Sequence, residues 1–260
     1  MEKLKIAIVQ SGTDSTNDEI IRQICEDPVL IELCTPIVSD TADARTDADA
    51  SVFFPAAEPV KCPADATEII VTEEVLFMPL AKEPTAEDII KFRDILERDF
   101  DLRSPRIAIV QETEMQAPDL ASQVTTETGT NTYGPYSVEQ VLAEDKARHF
   151  DGIVTADKTL AQRIIKEFML KAPVRFFAGR AAVITAVCQP IRINEKEEGL
   201  ADISALTHPI YTAIDVIRNR AFYDEARQNP LPKLFHDKRE DKRKDNTPQA
   251  NNNKEDNEQA

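Results

Sequence analysis

The chain has 260 residues, 42% of them apolar and 30% charged, with 31 basic against 47 acidic side chains and a formal charge of −16. That length supports one to two domains with a sizeable core, and the apolar share sets the chain apart from disordered ones. A polyanion of this kind repels phosphates, which argues against a nucleic-acid partner, and no apolar run approaches the roughly 20 residues of a membrane-spanning helix. The opening Met-Glu-Lys-Leu-Lys lacks the long apolar stretch of a signal peptide, so a cytoplasmic location is expected. Cys25, Cys34, Cys62 and Cys188 form no Cys-x-x-Cys pair and read as buried free thiols. Glycine is scarce, 6 in the whole chain. Backbone cradles for phosphates and dinucleotides depend on glycine, so this scarcity weighs against a working nucleotide site.

Lys5 to Gln10 is a short apolar run of buried-strand type, and residues 14–26 follow it with helical spacing at Ile20, Ile21, Ile24 and Cys25. Leu33 to Val38 and Ile69 to Leu80 supply further strand-like runs; Ser39 to Thr67 between them, rich in Ala, Asp and Pro, reads as a loop or shortened connection. Thr85 with Asp88 makes a capping-box start for a helix whose apolar face is Ile89, Ile90, Phe92, Ile95 and Leu96. Arg106 to Gln111 then resembles residues 5–10, but the segments after the two runs do not match and no duplication is inferred. Ser137 with Gln140 starts another helix, Gly152 to Ala156 reads as a strand, and Leu160, Ile164, Ile165, Phe168 and Met169 form a helical stripe. Val174 to Ala178 and Val183 to Cys188 are strands, and Pro209 at a first-turn position opens the last helix. Strands alternating with helices predict an α/β body with a largely parallel sheet over residues 1–235, in one piece or as two subdomains meeting in a cleft. Residues 236–260, dominated by Asp, Lys, Arg, Asn, Gln and Glu with no apolar period, predict a disordered tail.

Few constellations survive a chemical test. Gly129 and Gly134 have phosphate-loop spacing, but Pro135 and Tyr136 stand where Lys and Ser or Thr must bind phosphate and magnesium. Asp40, Asp43, Asp47 and Asp49 close no calcium loop, and His149, His208 and His236 are too scattered to read as a metal site. Asp157 and Lys158, just after one strand, and Gln111 to Glu114, just after another, are better placed, because open α/β sheets gather ligands at the carboxyl ends of their strands. A solvated loop is the plainer reading of the same charges.

Four blocks together carry a family resemblance. They are residues 5–38, with Lys5-Ile6-Ala7-Ile8, Asp27-Pro28 and Glu32 to Ile37; residues 74–111, with Arg98-Asp99-Phe100 and Ser104 to Ala108; residues 133–157, with Tyr133-Gly134-Pro135-Tyr136 and His149-Phe150-Asp151-Gly152; and residues 197–235, with Gly199, Ala201-Asp202, Ile210-Tyr211, Ala213-Ile214-Asp215 and Arg218-Asn219-Arg220. On these residues the chain resembles the 4-hydroxythreonine-4-phosphate dehydrogenase family of vitamin B6 biosynthesis, particularly its Bacteroidetes forms, as a shortened and degenerate member. The resemblance implies an α/β fold of the isocitrate and isopropylmalate dehydrogenase type, dimeric, with a cleft where NAD and a divalent metal held by three histidines oxidise a secondary alcohol before decarboxylation.

Position by position, the chemistry that the resemblance implies is missing. After the first strand this chain keeps Glu19 but not the family's glycine-rich turn. Where a metal-binding histidine follows the strand ending at Val110, the chain has Thr113, Glu114, Met115, Gln116 and Ala117; where a second follows residues 152–156, it has Asp157, Lys158 and Thr159. The third belongs to a segment lost between about residues 39 and 73. Arg192 is the surviving substrate-contact candidate. The candidate cleft residues are therefore Glu19, Glu112, Glu114, Asp157, Lys158 and Arg192; no cofactor or metal is expected, and a homodimer or a mixed dimer with a catalytically complete family member is. The leading expectation is a non-catalytic binding or regulatory scaffold. Its rival is an NAD- and metal-dependent oxidoreductase of pyridoxal phosphate biosynthesis with a rearranged site, in which Glu112, Glu114, Asp157 and Glu195 supply oxygen ligands to magnesium. A carbon-nitrogen hydrolase, prompted by the Ile-Ala-Ile-Val-Gln start, lacks a Glu, Lys and Cys set.

Overall fold

Leu4-Lys5-Ile6-Ala7-Ile8-Val9 forms β1 (Leu4–Val9), whose last four residues are buried, as befits a strand covered on both faces. The computed structural model describes residues 3–9, 21–39, 48–54, 60–112, 120–168, 173–188 and 203–229. Helical residues 21–25 lead into the short helix α1 (Pro28–Leu33), where Asp27 caps the amides of Val29 and Leu30 and Pro28 takes a first-turn position that needs no N–H donor. Then come β2 (Cys34–Ser39), β3 (Ala50–Phe53), β4 (Thr67–Val71), β5 (Leu76–Pro79), α2 (Ala86–Phe100), β6 (Ile107–Val110), α3 (Leu120–Thr128), β7 (Thr132–Tyr136), α4 (Val138–Leu142), a 3-10 segment Ala143–His149, β8 (Gly152–Thr155), α5 (Lys158–Glu167), β9 (Val174–Ala178), β10 (Val183–Val187) and α6 (Ile203–Gln228). The chain divides into a unit Met1–Asp224, which holds every one of these strands, and a second that starts at Glu225 with the last turn of α6.

The ten strands form one sheet in the order β2-β1-β3-β10-β9-β4-β5-β8-β6-β7. β2, β1, β3 and β10 run parallel to one another, as do β5, β8, β6 and β7. Between the two blocks, three antiparallel pairings through β9 and β4 reverse the direction, so the blocks point opposite ways. Numbered from either edge inward, each strand has a counterpart five strands away in sequence: β1 with β6, β2 with β7, β3 with β8, β4 with β9, β5 with β10. The likeness of residues 5–10 to 106–111 is thus a likeness between topologically equivalent strands, and the duplication that unmatched flanking segments concealed is present in the strand order.

One face of the sheet packs Ile6, Ile8, Ile69, Met78, Ile107, Ile109, Val154 and Phe176 against α2, α3, α6 and the helical residues 21–24. The other face carries two separate clusters: Ile70, Phe77, Ala108 and Ile153 under α4 and α5, and a small one of Val9, Phe53, Phe177 and Ile184 with Val60, Cys62 and Ala66 packed against it. Gly152 opens β8 where α2 crosses the sheet, and a Cβ there would sit 2.6 Å from Phe92 Cε1 and 2.9 Å from Leu96 Cδ1. Because both neighbours are fully buried and have no open side to move toward, Gly152→Ala is expected to cost about 1–3 kcal/mol, measured by urea denaturation.

Several sequence expectations need correction. Ser39 to Thr67 contains β3, four consecutive buried residues in the middle of the first parallel block; their apolar run is too short, and too closely flanked by Asp, Ala and Pro, to stand out as a strand. Ile69 to Leu80 divides into β4 and β5, turned by Thr72, whose hydroxyl donates to the Val75 carbonyl (2.7 Å) and accepts from the Val75 amide (3.1 Å). Pro209 lies inside α6, not at its first turn; its carbonyl accepts a hydrogen bond from the buried Thr185 hydroxyl (2.9 Å), which ties the helix to β10. Helix α3 and edge strand β7 carried too little periodicity to be read. The expected tail 236–260 lies outside the described residues.

Candidate functional site

The carboxyl ends of β6 and β8 lie side by side, because these strands pair in parallel with Val110 opposite Thr155. Glu112 follows β6 and is exposed; Asp157 and Lys158 follow β8. The structure brings these three sequence-derived candidates to one end of the sheet, whereas Glu19, Glu114 and Arg192 lie outside the described residues. Asp157 is the N-cap of α5: its Oδ1 accepts from the Thr159 amide (2.8 Å) and its carbonyl accepts from the Thr155 hydroxyl (2.8 Å). That is helix-capping work, which leaves Lys158 as the side chain projecting from the strand end into a polar cluster.

Lys158 Nζ lies 2.9 and 3.0 Å from the two carboxylate oxygens of Glu68. Glu68 stands on β4, and the same carboxylate accepts from Nε of Arg175, which sits near it on the adjoining strand β9 with its guanidinium stacked over Phe177 at 5.1 Å. Arg175 is buried, at 7% exposure. Burial alone would raise the Glu68 carboxyl, but the hydrogen bonds and charges of Arg175 and Lys158 outweigh it and hold Glu68 below the ordinary carboxylate range. The trio carries one net positive charge at the middle of the sheet, in the polar gap that separates the two apolar clusters of that face. Cys62 and Cys188 feel the same three groups, yet burial dominates both and pushes their thiols up, away from the reactive thiolate form. Glu68 and Arg175 escaped sequence reading because each sits inside an apolar strand, where a lone charge has no motif around it; what marks them is their diagonal placement, with Glu68 opposite Phe177 and Arg175 opposite Ile70, a property of pairing register.

A divalent metal does not fit here. The position that the resemblance assigns to a metal histidine is held by an ammonium already engaged by Glu68, and two like charges about 4 Å apart near a protein surface repel by about 4 kcal/mol per unit charge. Among the described residues no group of three or more His, Cys, Asp and Glu side chains could hold a metal ion. His149 ends the 3-10 segment and His208 lies on α6, on separate elements.

Other residues quoted for the resemblance pair with one another. Arg106 before β6 meets Asp151 before β8 through its backbone amide (2.7 Å) and its guanidinium (3.1 and 3.2 Å). Asp99 at the end of α2 receives Arg220 of α6 in a two-pronged pair (2.7 and 3.1 Å), while Asn219 donates to the Asp99 carbonyl (3.0 Å). Arg220 also donates to the carbonyls of Arg180 (2.9 Å) and Ala181 (3.2 Å) at the β9–β10 turn. These residues fasten the scaffold.

The ten-stranded sheet with its two opposed parallel blocks makes this a mixed α/β fold shared with dehydrogenases of the isocitrate type. Isocitrate dehydrogenase of Methylococcus capsulatus matches with a TM-score of 0.50 over 86% of this chain and 90% of that one, at 11% identity. The resemblance read from sequence is borne out more particularly: the chain is similar to 4-hydroxythreonine-4-phosphate dehydrogenase of Bacteroides thetaiotaomicron, 30% identical over 176 residues, which cover 62% of this chain. The crystal structure of a 4-hydroxythreonine-4-phosphate dehydrogenase from Burkholderia phymatum shares the fold, with a TM-score of 0.53 over 83% of this chain and 99% of that one at 11% identity. The matched region covers 48% of the Bacteroides relative, about half its length, in keeping with a shortened form. No family model matches the chain. No helix among the described residues is long and apolar enough to cross a membrane.

Proposed function

We propose that the chain is a non-catalytic, cytoplasmic relative of 4-hydroxythreonine-4-phosphate dehydrogenase that works by binding a protein partner, a second copy or a catalytically complete relative. The observation that carries this reading is Lys158, held by Glu68 at the strand end where the resemblance implies a metal ligand. An ammonium neutralised by a carboxylate that is itself paired with a buried arginine makes a stable structural cluster and a poor bed for a divalent cation. The scaffold residues of the resemblance, Arg106 with Asp151 and Asp99 with Arg220, remain paired, which supports retention of the architecture without the chemistry.

Thermal unfolding with magnesium or zinc, NAD and 4-hydroxythreonine phosphate, singly and combined, tests the reading. A ligand at 100 times its dissociation constant stabilises by about 2.7 kcal/mol, or roughly 5–10 °C for a chain of this size. No shift with any combination is the expected result. A shift of about 5 °C or more with NAD plus metal, accompanied by NADH formation, overturns it in favour of an oxidoreductase with a rearranged site.

A further inference from the structure

We draw no further inference here: the strongest candidate, the surface patch of exposed apolar side chains Val29 and Ile31 on α1 and Ile37 and Val38 on the edge strand β2, carries nothing because nothing in the structure shows what covers it.

Discussion

Arg220→Leu is expected to lower the unfolding free energy by about 3–5 kcal/mol and the thermal midpoint by roughly 10 °C, seen by calorimetry or urea denaturation. Arg220 and Asp99 are both buried, at 8% and 3% exposure, and the guanidinium satisfies both carboxylate oxygens and two turn carbonyls at once. Removing it leaves a carboxylate in the interior without its cation, and desolvation of the abandoned charge dominates the loss. The paired replacement Asp99→Leu with Arg220→Met should recover most of the stability, because neither charge then remains; the shortfall, about 1–2 kcal/mol, measures the carbonyls of Arg180 and Ala181 left without their donor. If Arg220→Leu alone costs less than about 1 kcal/mol, the contact does not fasten α6 to α2 and the β9–β10 turn.

Glu68→Leu is the second large loss, about 2–4 kcal/mol, since it strands the buried Arg175 and releases Lys158. Its pH signature is specific. Glu68 ionises in the folded chain below its ordinary value, so its contribution is fully present above the unfolded pKa, about 4.3, and is lost as pH falls through the lower folded one. Asp151, which burial would raise but Arg106 holds down, loses its contribution on the same side. The wild-type chain should therefore lose stability as pH falls from about 5 to 3, and Glu68→Gln should flatten part of that slope while sparing the share due to Asp151. A Glu68→Gln stability curve parallel to the wild type over that range would show that Glu68 is not held by its two cations.

The sequence made much of this architecture legible wherever local chemistry and global position agree. Thr85 with Asp88 and Ser137 with Gln140 form their reciprocal caps, and the runs at Lys5, Arg106, Gly152, Val174 and Val183 became strands because each is mostly apolar and buried over its length, as befits a strand covered on both faces. β3 was missed because four residues flanked by Asp, Ala and Pro leave no periodicity to count. At the site, Asp157 and Lys158 were legible from their place after a strand; Glu68 and Arg175 were not, because their meaning comes from the antiparallel pairing of β4 with β9, residues more than a hundred positions apart. The same holds for Asp99 and Arg220: the resemblance marked both, but only the fold reveals that they touch.

The strand order also says how the chain must be assembled. β3 hydrogen-bonds to β1 and β10, and β4 to β5 and β9, so the N-terminal block has no strand contact with the remainder of the sheet until the β9–β10 hairpin, residues 174–187, is inserted between them. During synthesis the middle of the sheet is the last strand pair to emerge. Until it does, β3 and β4 each present an open edge, the state in which strands pair wrongly with other chains. Such long-range pairing is slow to form. A chain ending before residue 174 lacks the two strands that join β3 to β4.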